Sequence, residues 1–156
     1  MRLAALFTCC WMGLAGCGGA EAPAPIVAEP AAPVAESVDI SDAFVRAMPA
    51  AAPNSALFMT LTNTRDATAL VAVEGTAAKS IELHTHTADE AGVMRMRKID
   101  QVDLPARQAV ALKPGGLHVM LIGLNHPVTA GAQEHFTLIF KDGSRKLLTA
   151  PVRAVE

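Results

Sequence analysis

An all-β domain built as a two-sheet sandwich is what the sequence predicts, and three observations carry that prediction. Short runs rich in Val, Ile, Leu, Thr and Phe recur from Val38 to the C-terminus, clusters of Gly, Pro, Asn and Asp separate them, and no long stretch has the apolar period of an amphipathic helix. Many short strands at this spacing favour Greek-key connections, of the cupredoxin-like or immunoglobulin-like type.

The chain opens with Met1-Arg2 and a short apolar stretch, Leu3–Ala15, which together read as a secretory signal over residues 1–16. A membrane-spanning helix needs about 20 apolar residues, more than this stretch offers, and every later segment is interrupted by charges, prolines or glycines. Leu14-Ala15-Gly16-Cys17 resembles the lipobox of bacterial lipoproteins, in which the cysteine is acylated and becomes the new N-terminus. Several acyl chains, each contributing about 0.8 kcal/mol per buried methylene, would anchor the chain without any span. The expected location is therefore outside the cytoplasm, on the periplasmic side, lipid-anchored to the membrane through Cys17.

Residues 17–37 follow the anchor with Ala, Pro, Glu, Val and Gly and almost no large side chain, prolines falling at 23, 25, 30 and 33. That composition cannot bury a core and reads as a semi-rigid tether. Residues 38–156 are the size of one ordinary domain. Within it the expected strands are Val38–Ala47, Ser55–Asn63, Ala69–Glu74, Ser80–Thr87, Val93–Ile99, Ala109–Leu112, Leu117–Leu124, His135–Lys141 and Lys146–Val152. Turn signals at Pro49 to Asn54, Glu90 to Gly92, Pro114-Gly115-Gly116 and Asp142-Gly143-Ser144 divide them.

Cysteine usage and charge narrow the function. The three cysteines are Cys9 and Cys10, inside the signal, and Cys17, which carries the lipid, so the folded domain keeps no thiol for a disulfide, a thiolate metal site or a Cys-x-x-Cys redox centre. Removing Arg2 from the 13 basic residues leaves 12 against 15 acidic ones, with no basic run, which argues against nucleic acid as a partner. No enzyme is expected: no triad order, strong carboxylate pair or phosphate-binding glycine loop stands out. A blue-copper electron carrier is disfavoured because its site needs a cysteine thiolate.

The chemistry lies in Leu83-His84-Thr85-His86-Thr87, Val93-Met94-Arg95-Met96-Arg97 and Leu117-His118-Val119-Met120-Leu121. Alternate residues of a strand share a face, so His84 with His86, Met94 with Met96, and His118 with Met120 form three same-face pairs, while Val119, flanked by Leu117 and Leu121, faces the core. A hairpin centred on residue 90 would set His84 opposite Met96 and His86 opposite Met94, with opposed Cβ atoms about 4.5–5.5 Å apart. Taken singly, each residue reads as an ordinary core methionine or surface histidine. Three such pairs in a chain with five histidines read instead as a metal site. Thioethers bind zinc, calcium and magnesium poorly but suit copper(I), and two neutral imidazoles with two neutral thioethers fit a monovalent ion at an accessible rim. His86 would add a harder donor through which copper(II) could also bind. Met59 is expected in the core, Met48 has no role in this reading, and His126 and His135 are expected to be solvated or structural.

With these residues in view, the chain resembles the periplasmic PCu(A)C copper-chaperone family, which carries a His-x(n)-Met-x(21 or 22)-His-x-Met pattern on a cupredoxin-like sandwich. The resemblance runs through Ala43-Phe44-Val45-Arg46-Ala47, Asn54–Leu61, Glu82-Leu83-His84, Gly92–Arg97 and Leu112–Leu121, with 21 residues between Met96 and His118. It implies His84, Met96, His118 and Met120 as copper(I) ligands. The chain departs from the pattern in carrying His86 where many members have Met, and in a His84-to-Met96 interval about one residue longer than usual, which leaves Met94 as a competitor. The resemblance further implies a carrier that hands copper to cytochrome c oxidase directly or through a Sco-type protein; the chain is expected to be a monomer. The alternative is an envelope lipoprotein that sequesters copper without a dedicated client.

Overall fold

The computed structural model describes residues 33–88 and 92–154. The signal segment, Cys17 and the tether up to residue 32 lie outside the described residues, as does part of the hairpin tip at 89–91. Among the described residues no helix is long and apolar enough to cross a membrane. A single helical turn, α1 (Val34–Ser37), precedes ten strands: β1 (Val38–Arg46), β2 (Asn54–Asn63), β3 (Thr68–Gly75), β4 (Ala78–Ala88), β5 (Met94–Lys98), β6 (Val102–Leu104), β7 (Ala109–Leu112), β8 (His118–Leu124), β9 (Gln133–Phe140) and β10 (Arg145–Arg153).

The strands form two sheets that meet along one edge. One runs β5-β4-β8-β2-β1, with β7 on the second half of β2, and the other runs β10-β9-β3-β6. A short parallel pairing, Val45 with Val152 and Arg46 with Arg153, joins β1 to β10. Between the sheets lie Leu57, Leu61, Leu83, Val119 and Leu121 from the first and Leu70, Phe136, Leu138, Phe140 and Ala150 from the second, all in one buried cluster. The expected all-β sandwich is thus the observed fold. Met59 and Val119 are buried in its core as expected.

Two features were not expected. Val102-Asp103-Leu104 forms a three-residue strand on β3, too short for an alternation to show and ended by Pro105. Residues 34–37, assigned by composition to the tether, make a turn against the domain: the Val34 and Ala35 amides donate to Asp142 Oδ2 and Ser144 Oγ, each at 2.9 Å. Lys146 Nζ donates to the carbonyls of Ala35 and Val38 at 3.0 and 2.6 Å.

A bulge in β1 decides which side chains reach the far face of the first sheet. Register against β2 slips between Ser41 and Phe44, where Asp42 takes a φ of 52°. The extra residue exchanges the two faces of the strand. Before it Val38 points into the core; after it Val45 does, and Phe44 and Arg46 turn to the opposite side. That outer face, not the sandwich interior, carries His86, Met96, His118 and Met120.

Candidate metal centre

β4 lies between β5 and β8, so its outward side chains are flanked on both sides. Across β8, His84 stands opposite His118 and Glu82 opposite Met120. Across β5, His86 stands opposite Met96, His84 opposite Lys98 and Ala88 opposite Met94. This corrects the expected hairpin register: His84 does not face Met96, nor His86 Met94. The cause lies at the hairpin base, where the Ile99 amide donates to the Leu83 carbonyl at 2.9 Å and Lys98 Nζ reaches Glu82 Oε1 at 3.0 Å. The shift moves pairings by two residues, so every donor keeps its face.

His86, Met96, His118 and Met120 line one open depression of about 420 Å³, floored by Phe58 and bordered by Arg46, Met48 and the Pro114-Gly115 turn. His84 sits beside it, its ring centroid 5.8 Å from that of His118. Met94 lies toward the hairpin tip, outside the depression and 56% exposed. Arg46, Met48 and Phe58 had no place in the sequence-based site. The first two follow β1 past the bulge, and Phe58 shares its face with Ala56, opposite Met120 in the β2–β8 register.

The imidazoles are held in distinct ways. His118 is 3% exposed, covered by the Pro114–Gly116 loop and by Phe58, whose ring centroid lies 6.3 Å away. Its Nδ1–H donates to the Gly116 carbonyl at 3.0 Å, leaving Nε2 with a free lone pair. His86 Nδ1 lies 3.4 Å from the same carbonyl, and its ring stacks on that of His118 at 5.1 Å between centroids. Burial, followed by the nearby His86 and His84, lowers the His118 pKa, while the Gly116 bond opposes that shift. The lowered pKa favours the neutral ring, whose Nε2 lone pair is the one left open.

His84 is oriented by a carboxylate instead. Its Nε2 lies 3.0 Å from Glu82 Oε2, and its Nδ1 is buried with no hydrogen-bond partner. An unsatisfied buried polar atom costs about 1–3 kcal/mol, so a side chain retained in this state points to a missing partner. Glu82 is held ionised, its pKa lowered to about 2 by hydrogen bonds from His84 and Lys98. Among the described residues, no three His, Cys, Asp or Glu side chains group as a metal site by themselves. The thioethers of Met96 and Met120 line the same depression as His86 and His118, and thioether sulfur suits copper(I). His126 and His135 have structural partners, Glu134 Oε1 at 2.8 Å and Thr149 Oγ1 at 3.0 Å.

Comparisons with known proteins bear on the family and the fold. The family described as "Putative lipoprotein LpqE-like" matches residues 38–152. A protein of Leifsonia xyli subsp. xyli named "Putative lipoprotein Lxx21020" is 36% identical over 144 residues, covering 91% of this chain and 83% of its own. The solution structure of copper(I)-bound DR1885 from Deinococcus radiodurans is 33% identical, covers 73% of this chain and 76% of its own, and superposes with a TM-score of 0.60. The copper-bound PCuAC domain from PmoF2 shares the fold at a TM-score of 0.64, with 23% identity over 76% of this chain and 94% of its own. From the match over most of its length and the similarity to these relatives, the chain belongs to the LpqE-like lipoprotein family, of PCuAC type.

Proposed function

We propose that the protein is a copper(I) metallochaperone, lipid-anchored through Cys17 on the periplasmic side of the membrane, that delivers copper to the copper centre of cytochrome c oxidase directly or through a Sco-type protein. His84, Met96, His118 and Met120 are its ligands in this reading. His86 stands within reach as a third imidazole, able to exchange with them or to support copper(II), and Met94 serves as an outlying thioether. The observation that carries the proposal is the buried, unpartnered Nδ1 of His84, opposite His118 on β8 and next to the depression that Met96 and Met120 line. Each of these donors is neutral once its imidazole is deprotonated, so a bound copper(I) keeps its positive charge and is held without thiolate. That composition suits a carrier that must release its ion by ligand exchange. The copper(I)-bound relative supports the same cargo.

The position of the site supports hand-off. The described chain enters through α1, beside the start of β1, whereas Arg46 at the other end of β1 borders the depression. Nine extended residues, roughly 30 Å, separate the entry from the site. An anchor ahead of α1 would therefore attach at the end of β1 away from the site.

The test is copper(I) titration of the chain from Gly18 onward, a form that lacks the competing Cys17 thiol, against a chromophoric chelator. Transfer is then assayed to a purified oxidase copper-site domain and to a Sco-type protein. One tightly bound equivalent and its loss to either recipient are expected. Failure to bind copper(I) removes the chaperone reading; binding without transfer to either favours sequestration.

A further inference from the structure

We propose that Glu82 is a positioning residue for copper(I), holding His84 as the Nε2–H tautomer so that its buried Nδ1 is the nitrogen offered to the ion. This rests on the copper-carrier reading and adds to it the choice of ligand atom. Glu82 and His84 are alternate residues of β4 and share its outer face. An ionised carboxylate only accepts hydrogen bonds, so the 3.0 Å contact between Glu82 Oε2 and His84 Nε2 places the ring proton on Nε2. The carboxylate is itself fixed: its other oxygen accepts from Lys98 Nζ at 3.0 Å and from Ser80 Oγ at 3.3 Å. Lys98 stands directly opposite His84 on β5, so the pairing of the two strands sets the carboxylate's position.

His118 is held in the opposite sense. Its Nδ1–H is committed to the Gly116 carbonyl, which leaves Nε2 as its free nitrogen. The two histidines face each other across β4 and β8 and would present different ring atoms to one ion, one fixed by a carboxylate and the other by a backbone carbonyl. The carboxylate also makes the His84 ring a stronger donor and places a negative charge behind a ligand set that carries none. Replacing such an outer-shell partner typically weakens metal binding by about 10- to 100-fold.

The experiment is ring-nitrogen NMR of the histidines in the chain from Gly18 onward, with and without copper(I), paired with chelator-competition titration of the parent and Glu82→Gln. In the copper-free parent, His84 is expected to be protonated on Nε2 and His118 on Nδ1, and copper(I) should shift His84 Nδ1. In Glu82→Gln, His84 should become a mixture of tautomers and copper(I) affinity should fall about tenfold, while the unchanged His118 tautomer reports that the fold is intact. A copper-free parent with His84 protonated on Nδ1 overturns the proposal, with no variant required. So does a Glu82→Gln protein that binds copper(I) as tightly as the parent. A parent that takes up no copper(I) removes the chaperone reading instead, and the copper-free spectra still decide the tautomer.

Discussion

The two strands that flank β4 contribute to the same depression under opposite conditions. β8 brings His118 and Met120 from a strand whose other face, Val119 and Leu121, is fully buried. β5 brings Met96 from a strand exposed at every residue, with Met96 itself 47% exposed. One half of the site is thus fixed by the hydrophobic core and a covering loop, while the other is held by a hairpin edge. The difference separates two requirements of a carrier: donors that do not move set how tightly the ion is held, and donors at the solvent boundary set how it is exchanged.

The largest effect should come from the fixed half. His118→Ala with Met120→Ala removes both donors of β8, and copper(I) affinity, measured by chelator competition, is expected to fall more than about 100-fold, beyond the loss typical of an outer-shell change. A comparable loss from Met96→Ala alone would erase the proposed asymmetry.

The covering loop offers a test through stability. Gly115 has a φ of 78°, and a Cβ added there would meet nothing within 4 Å, so Gly115→Ala is penalised by backbone strain alone. The expected cost is about 1–2 kcal/mol in urea unfolding. Gly116 has no such backbone constraint, and a Cβ there would meet Lys113 only at an ordinary 3.7 Å, so Gly116→Ala should stay within about 0.5 kcal/mol of the parent. If both variants behaved alike, the left-handed turn at 115 would not be what sets the loop over His118.

On the exposed half, Met96→Ala should weaken copper(I) binding by roughly tenfold while leaving stability within about 0.5 kcal/mol, as expected for a surface position. Met94→Ala, outside the depression, should change affinity by less than about twofold, well under the roughly 1.4 kcal/mol that a tenfold change represents. Both are read in the same competition assay. Equal losses from the two would mean that the hairpin moves Met94 into the site on binding.

How far this asymmetry was legible in the sequence follows from which forces are local. The alternation of side chains placed the three donor pairs on shared faces, and nine of the ten strands were expected close to where they lie, because period and turn residues are properties of short segments. Register was not legible. A hairpin centred on residue 90 assumed a symmetric tip, whereas Lys98–Glu82 and Ile99–Leu83 contacts at the base decide the pairing. The depth of His118 was hidden for the same reason, since its cover comes from Phe58 on another strand. Arg46 lay beyond a bulge at Asp42 that no composition signals. Glu82 was within reach: it stands two residues before His84, and the alternation that paired His84 with His86 also places it on that face.

The smallest expected effect is on pH dependence, and it sharpens the comparison because the titrating groups belong to different parts of the site. An imidazole whose folded pKa is lowered binds fewer protons in the native state than in the unfolded one, so stability rises with pH between the two values. For His118 that stability is present above the ordinary value of 6.5 and is lost as pH falls below it through the depressed folded value. Glu82, lowered from 4.5 to about 2, contributes stability that is present above 4.5 and lost as pH falls from there toward 2. Thermal unfolding of the copper-free chain should therefore show two separate declines on acidification, the first absent in His118→Ala and the second reduced in Glu82→Gln, the remainder coming from Asp142, whose pKa is also lowered. With His118 as a ligand, as proposed, copper(I) would compete with protons for it, so loading the protein should move the first decline to lower pH and leave the order of the two unchanged. A single decline, abolished by either substitution, would mean that the loop-covered histidine and the carboxylate behind His84 titrate as one unit, and the division into a fixed and an exchangeable half would then have to be drawn through β4 itself.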